Sequence, residues 1–201
     1  FGIVGKYGAQ VQSVLKKAAA LDIKIICPLH GPWLFENIPY YLNLYDIWSS
    51  YGVESDGVVI AYTSVYGHTE KAVNMLKAEL ENKGVKVPVF DLARCDMAEA
   101  VEDAFRYGKL VLATTTYNGD IFPFMKEFIN HLTERNYQNR TVAFIENGTW
   151  APVSARQMAA ILAPLKNMTV LEQSVAIRSS LTEGQLAEIE ALADVIAEGI
   201  R

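Results

Sequence analysis

The residues best suited to chemistry fall in three short polar segments, each following an apolar run. The first, Thr63–Thr69 (TSVYGHT), lies between Gly57–Thr63 (GVVIAYT) and an amphipathic stretch beginning at Glu70. A helix start offers unpaired N–H groups and the positive end of the peptide dipoles, so it attracts an anion. Thr63, Ser64 and Thr69 add hydroxyl donors, and Gly67 lets the backbone come close. Val65, Tyr66 and His68 complete the loop; His68 is expected to offer its backbone N–H and turn its ring to solvent. The loop contains no Lys or Arg. A triphosphate-binding loop needs GK[ST] and a dinucleotide loop reads GxGxxG. This loop fits neither, but it suits one terminal phosphate monoester held by neutral donors. By itself it reads equally well as an ordinary Ser/Thr-capped turn.

The second segment, Thr114–Asp120 (TTTYNGD), contributes Thr115, Thr116, Tyr117, Asn118 and Gly119. The third, Glu146–Pro152 (ENGTWAP), contributes Asn147, Gly148, Thr149 and Trp150. An aromatic ring in each of two adjacent loops can stack on or edge a planar ligand. Amides and Thr and Asn side chains nearby can bond its polar rim. Single loop aromatics usually serve packing, but two beside a phosphate-type loop are poorly explained that way.

These loops need a scaffold that brings them to one edge. From Gly57 onward, short apolar runs alternate with amphipathic stretches. The runs Gly57–Thr63, Val87–Leu92, Lys109–Thr114, Thr141–Ile145 and Thr169–Ala176 read as strands. Pro88, near the start of the second, points to an edge position. Helices are expected over Glu70–Asn82, from a cap at Asp96 to Tyr107, over Phe124–Glu134, over Ser154–Ala163, and from a Thr182/Gln185 capping box to Glu198. Five such repeats predict an α/β fold, a doubly wound five-stranded parallel sheet. Ligands then bind at the carboxyl ends of its strands.

The first 51 residues are too few to enclose a core. They read as a helix over Val11–Leu21, a short strand over Ile23–Cys27, a turn at Pro28–Pro32 and an aromatic-rich helix over Ile38–Tyr51. A linker over 52–56 separates them from the domain 57–201.

The 201 residues include 51% hydrophobic and 20% charged ones, as in globular proteins that bury a core. The net charge of −5 and the absence of a basic stripe argue against nucleic acid as a partner. No apolar run is long enough to span a membrane, and residues 1–10 do not resemble a signal peptide. Without an initiator Met, the sequence is expected to begin partway through a longer protein. Cys27 and Cys95 read as free thiols, pointing to a reducing, cytoplasmic setting.

TSVYGHT, TTYN and the Trp150 loop, in that order on this strand pattern, resemble the flavodoxin-like domain of flavodiiron proteins. Upstream, CPLHGP followed by an aromatic-rich helix resembles the end of that family's metallo-β-lactamase-like diiron domain. The resemblance implies strand order 2-1-3-4-5 and FMN held by the three loops. It makes His30 an iron ligand in the intact protein only, with the diiron centre confined to the full-length chain. It also implies a rubredoxin-type protein or an NAD(P)H-linked reductase as electron donor, dioxygen or nitric oxide as acceptor, and a head-to-tail homodimer. Two departures stand out. Thr115 replaces a Pro usual in the second loop, and Glu146 and Asn147 stand where the third usually carries more glycine. The family's HxExDH ligand motif is not in this sequence. Two other readings remain open: a stand-alone flavodoxin-type carrier, and a flavodoxin-fold interaction module without FMN.

Overall fold

The structure, a computed structural model, describes residues 5–200; the outer ends of the two segments read above, residues 1–4 and Arg201, lie outside them. In chain order the elements are α1 (Gly8–Ala18), α2 (Ile38–Ser49), β1 (Ser55–Tyr62), α3 (His68–Asn82), β2 (Val89–Asp91), α4 (Met97–Arg106), β3 (Tyr107–Tyr117), β4 (Asp120–Ile121), α5 (Pro123–Glu134), β5 (Thr141–Asn147), α6 (Ser154–Leu162), β6 (Thr169–Ile177) and α7 (Glu183–Ala197).

The main sheet runs β2-β1-β3-β5-β6, all neighbours parallel, with β4 attached antiparallel to β3. Without β4, this is the expected order 2-1-3-4-5. Both sheet faces are covered, and the strands show it by period-two alternation. In β1, Val59 and Ala61 join one core cluster, while Val58 and Ile60 join the other. Helices α4, α5 and α6 cover the first face through Phe105, Phe128 and Met158; α3 and α7 cover the second through Leu76, Leu80, Ile189 and Leu192.

Local signals act where they were expected. The Asp96 carboxylate accepts the Ala98 N–H at 2.8 Å at the start of α4. The Thr182/Gln185 capping box opens α7, with the Thr182 N–H donating to Gln185 Oε1 at 2.9 Å. β2 is an edge strand but covers only Val89–Asp91, shorter than Val87–Leu92. Pro88 has no N–H to give the ladder, though its carbonyl accepts from Ile60 at 2.9 Å.

β3 continues to Tyr117 because the second loop is a hairpin. Tyr117 pairs with Asp120 across Asn118 (φ 51) and Gly119 (φ 72). Two consecutive positive φ values are the mark of a type I′ turn, which Asn-Gly favours.

Toward the N-terminus the reading needs a correction. Ile23–Cys27 is not a strand: Ile26 alone bridges Leu34, with N–H to carbonyl distances of 2.8 and 2.9 Å across the Pro28–Pro32 turn. The turn brings one residue pair together and leaves the rest of the segment without a partner. Helix α1 begins at Gly8, where an added Cβ would lie 2.3 Å from the Ser49 carbonyl, so glycine permits the close crossing of α1 over the end of α2. Leu29, Trp33 and Phe35 remain exposed, as expected of a piece too short to enclose its own core. Arg140, 2% exposed, fastens the chain after α2 to the sheet. Its guanidinium donates to the Tyr51 carbonyl at 2.7 Å and the Gly52 carbonyl at 2.8 Å. Strand β1 begins at Ser55, so backbone pairing already reaches into segment 52–56.

Candidate functional site at the carboxyl edge of the sheet

The ends of β1, β3, β5 and β6 meet around a cavity of about 690 Å³. Ser64, Val65, Tyr66, His68 and Thr69 line it from the first loop. Thr115, Thr116, Tyr117 and Gly119 line it from the second, and Asn147, Gly148, Thr149 and Trp150 from the third.

Three residues expected at the site are set back from the cavity and act through the backbone. Thr63 is 1% exposed, and its hydroxyl lies 2.6 Å from that of Thr114, tying the roots of two loops. Gly67 caps α3 at φ 83. Nothing lies within 4 Å of a Cβ placed there, so glycine is needed in this structure for its left-handed backbone. Asn118 forms the hairpin turn with Gly119.

Asn147 clips the roots together. It is 6% exposed. Its Oδ1 accepts the Ser179 N–H at 3.1 Å, and its Nδ2 donates to the Ser179 carbonyl at 3.2 Å and the Thr69 hydroxyl at 3.4 Å. The Thr69 hydroxyl also lies 3.4 Å from that of Thr115.

Two helices, α3 and α6, begin at this edge, and their N-termini differ. At α6, Thr116 Oγ1 accepts from the Val153 and Ser154 N–H groups at 3.0 and 3.3 Å. Glu146 Oε2 accepts from Ala155 at 3.0 Å. Side chains from the sheet thus occupy the donors that would greet an anion at α6. At α3, Ser64 Oγ accepts the Glu70 N–H at 3.3 Å. The His68 and Thr69 N–H groups belong to the first turn, which has no carbonyls of its own to bond. The anion end of the cavity is therefore at α3. None of the lining residues is Lys, Arg, Asp or Glu.

The rings at the mouth are open. Tyr66 is 88% exposed, Trp150 93% and Tyr117 49%. Phe122, not anticipated at the site, lines the cavity and meets Tyr117 edge-on at 5.5 Å between centroids. Ala151 and Ser179 also line it without having been anticipated. Ser179 follows the fifth parallel strand, whose loop reaches the same crevice by the rule used for the other three; Phe122 follows the overlooked Asn-Gly hairpin.

Beneath the first loop, Tyr62 donates to Glu70 Oε1 at 3.4 Å. Burial, then the Asp91 and Glu70 charges, push its phenol up to about 12, so it is neutral at physiological pH. Burial likewise raises the Cys95 thiol, the opposite of what a nucleophilic cysteine needs. Both cysteines are free thiols. His30 is exposed in its turn, and among the described residues no three His, Cys, Asp or Glu side chains converge to hold a metal. No helix among them is long and apolar enough to cross a membrane.

A neutral donor loop at one end and open rings at the other match what known proteins show. The flavodoxin domain profile matches residues 59–184. The rubredoxin-oxygen oxidoreductase of Megalodesulfovibrio gigas is 19% identical over 99% of this chain and 50% of its own length. The crystal structure of the flavodiiron protein from Giardia intestinalis superposes with a TM-score of 0.89, at 20% identity, over 97% of this chain and 49% of that one. A flavodoxin from the domain Archaea superposes with a TM-score of 0.60, at 19% identity, over 71% of this chain and 96% of its own. The chain spans about half the length of curated relatives that it matches along most of its own length. The profile covers more than half of the chain, which therefore belongs to the flavodoxin domain family, in the fold seen in flavodiiron proteins.

Proposed function

We propose that the chain binds FMN in the cavity at the carboxyl edge of the sheet and serves as the electron-transfer part of a flavodiiron-type oxidoreductase. The observation that carries the flavin reading is the pairing of an open α3 N-terminus with a saturated α6 N-terminus at one cavity. The chemistry of the donors fits. A phosphate monoester needs N–H and O–H donors, which α3, Ser64 and its neighbours supply, and a flat ring needs unstacked faces, which Trp150 and Tyr117 offer. In this reading Gly148 and Thr149 border the ring, while Asn147 and Ser179 fix the loops around it. Bound FMN supplies the transfer of one or two electrons. The protein's part is to bind and orient it and to shield its buried side from water.

The flavodiiron assignment rests on the first 50 residues. The flavodiiron fold accounts for 97% of the chain, whereas the flavodoxin fold stops at 71%. In the full-length protein His30 would be one iron ligand, with the others from outside this sequence. Electrons would enter from a rubredoxin-type protein or an NAD(P)H-linked reductase. They would leave to dioxygen or nitric oxide at the diiron centre, in a head-to-tail homodimer. The test is direct. The purified chain should carry or take up about one FMN, identified after heat release by chromatography and mass. Failure to retain or take up flavin refutes the cofactor reading. In the full-length protein, His30→Ala should lower iron content while leaving FMN bound; undiminished iron would favour the simple carrier.

A further inference from the structure

The lining of the cavity contains no lysine, arginine, aspartate or glutamate, and one residue whose side chain can become a cation near neutral pH: His68. It is the first residue of α3, directly after the Gly67 cap, and it is exposed beside the open N–H groups of that helix. Histidine changes charge between about pH 5 and pH 8, and a phosphate monoester takes its second negative charge near pH 6. Over the same interval, the donors that remain are neutral.

We propose that the His68 side chain is the specificity-determining residue for the ligand's phosphate, pairing as the imidazolium with the dianion and so making phosphate recognition depend on pH. This rests on the flavin reading above. The sequence alone assigned His68 a backbone role; its position on the cavity wall gives the ring one too. The other ionisable groups nearby do not reproduce the effect. Tyr66 and Tyr117, on the same wall, are phenols that carry no positive charge. Glu70, next on the same helix, is engaged by the Tyr62 hydroxyl. Lys71, further along α3, and Arg178, before Ser179 in the loop from β6, are not among the lining residues and stay charged throughout this interval.

The proton linkage separates a phosphate effect from a ring effect, because riboflavin has the ring and lacks the phosphate. Affinities of the flavin-stripped chain for FMN and riboflavin are measured by fluorescence quenching at pH 6.5 and 8.5. FMN is expected to bind roughly three- to tenfold more tightly at pH 6.5, the range for one partly exposed charge-assisted contact, with riboflavin unchanged. His68→Gln should abolish the difference, and His68→Lys should keep tight FMN binding at both pH values. The proposal is overturned if the pH difference survives in His68→Gln, if riboflavin shows it equally, or if FMN binds with no pH difference. The last result leaves the flavin reading standing; failure of both flavins to bind removes the two together.

Discussion

Replacing Asn147 with Ala should loosen the site before it disturbs the sheet. The variant deletes the pair of bonds to Ser179, at 3.1 and 3.2 Å, and the longer one to Thr69 at 3.4 Å. A neutral hydrogen bond contributes about 1 kcal/mol net, and a buried group stripped of its partner costs about 1–3 kcal/mol. Ser179 is also held at φ 68, a left-handed conformation that costs a non-glycine residue on the order of 1 kcal/mol and needs support. Together these give a loss of about 2–4 kcal/mol. With a urea dependence of about 1–3 kcal/mol per molar, the unfolding midpoint should fall by about 1–2 M. FMN affinity should fall by about tenfold or more, since every 1.4 kcal/mol no longer available for holding the loops together is a factor of ten. Asn147→Asp keeps an acceptor for the Ser179 N–H and should recover part of the loss. Urea unfolding by circular dichroism gives the first quantity, flavin fluorescence the second, and hydrogen exchange at the Ser179 amide locates the change. A midpoint within about 0.2 M of the parent, with unchanged exchange at Ser179, would refute the clip.

Three further substitutions probe separate parts of the argument. Arg140→Met should destabilise the chain by about 3–5 kcal/mol, because the carbonyls of Tyr51, Gly52 and Phe105 lose a charged donor. Arg140→Lys should not rescue it, since an ammonium cannot reproduce the fork; urea unfolding decides. Tyr62 should be seen by ultraviolet titration to ionise at about 12. Its folded value lies above its unfolded one near 10, so the folded state holds the extra proton, and stability present below pH 10 is lost as pH rises toward 12. Tyr62→Phe should lose that alkaline dependence, and an unaltered profile would count against it. Trp150→Ala and Tyr117→Ala should each weaken FMN binding or restore its fluorescence. If neither does, the ring lies elsewhere.

Much of the scaffold was legible because its signals are local. Val58–Ala61 alternate between two cores on one short run, and Asp96 and Thr182 announce their helices by their own hydrogen bonds. The errors arose where pairing decides structure. Ile23–Cys27 has strand-like composition, yet only Ile26 finds a partner. The Asn118-Gly119 hairpin was readable by its dipeptide, but its flanks lack the alternating apolar pattern that normally draws attention to one.

The site divides along the same line, and its threonines show why. Thr114, Thr115 and Thr116 are consecutive and chemically identical, yet on a pleated strand the middle one faces away from its neighbours. Thr114 meets Thr63 and locks two loop roots. Thr116 meets the backbone of Val153 and Ser154 and caps α6. Thr115 approaches Thr69, against the α3 N-terminus. Sequence could place all three near a ligand, because a strand end in a parallel sheet is where ligands bind. It could not tell which would hold the scaffold, because that depends on where α6 starts relative to β3, a matter of tertiary packing. Glu146 follows the same logic. As a departure from the glycine-rich third loop it looked like a change at the ring, yet its carboxylate is bound to the Ala155 N–H. A charge at that position therefore acts first on α6, and by occupying that helix's donors it leaves α3 as the end open to an anion.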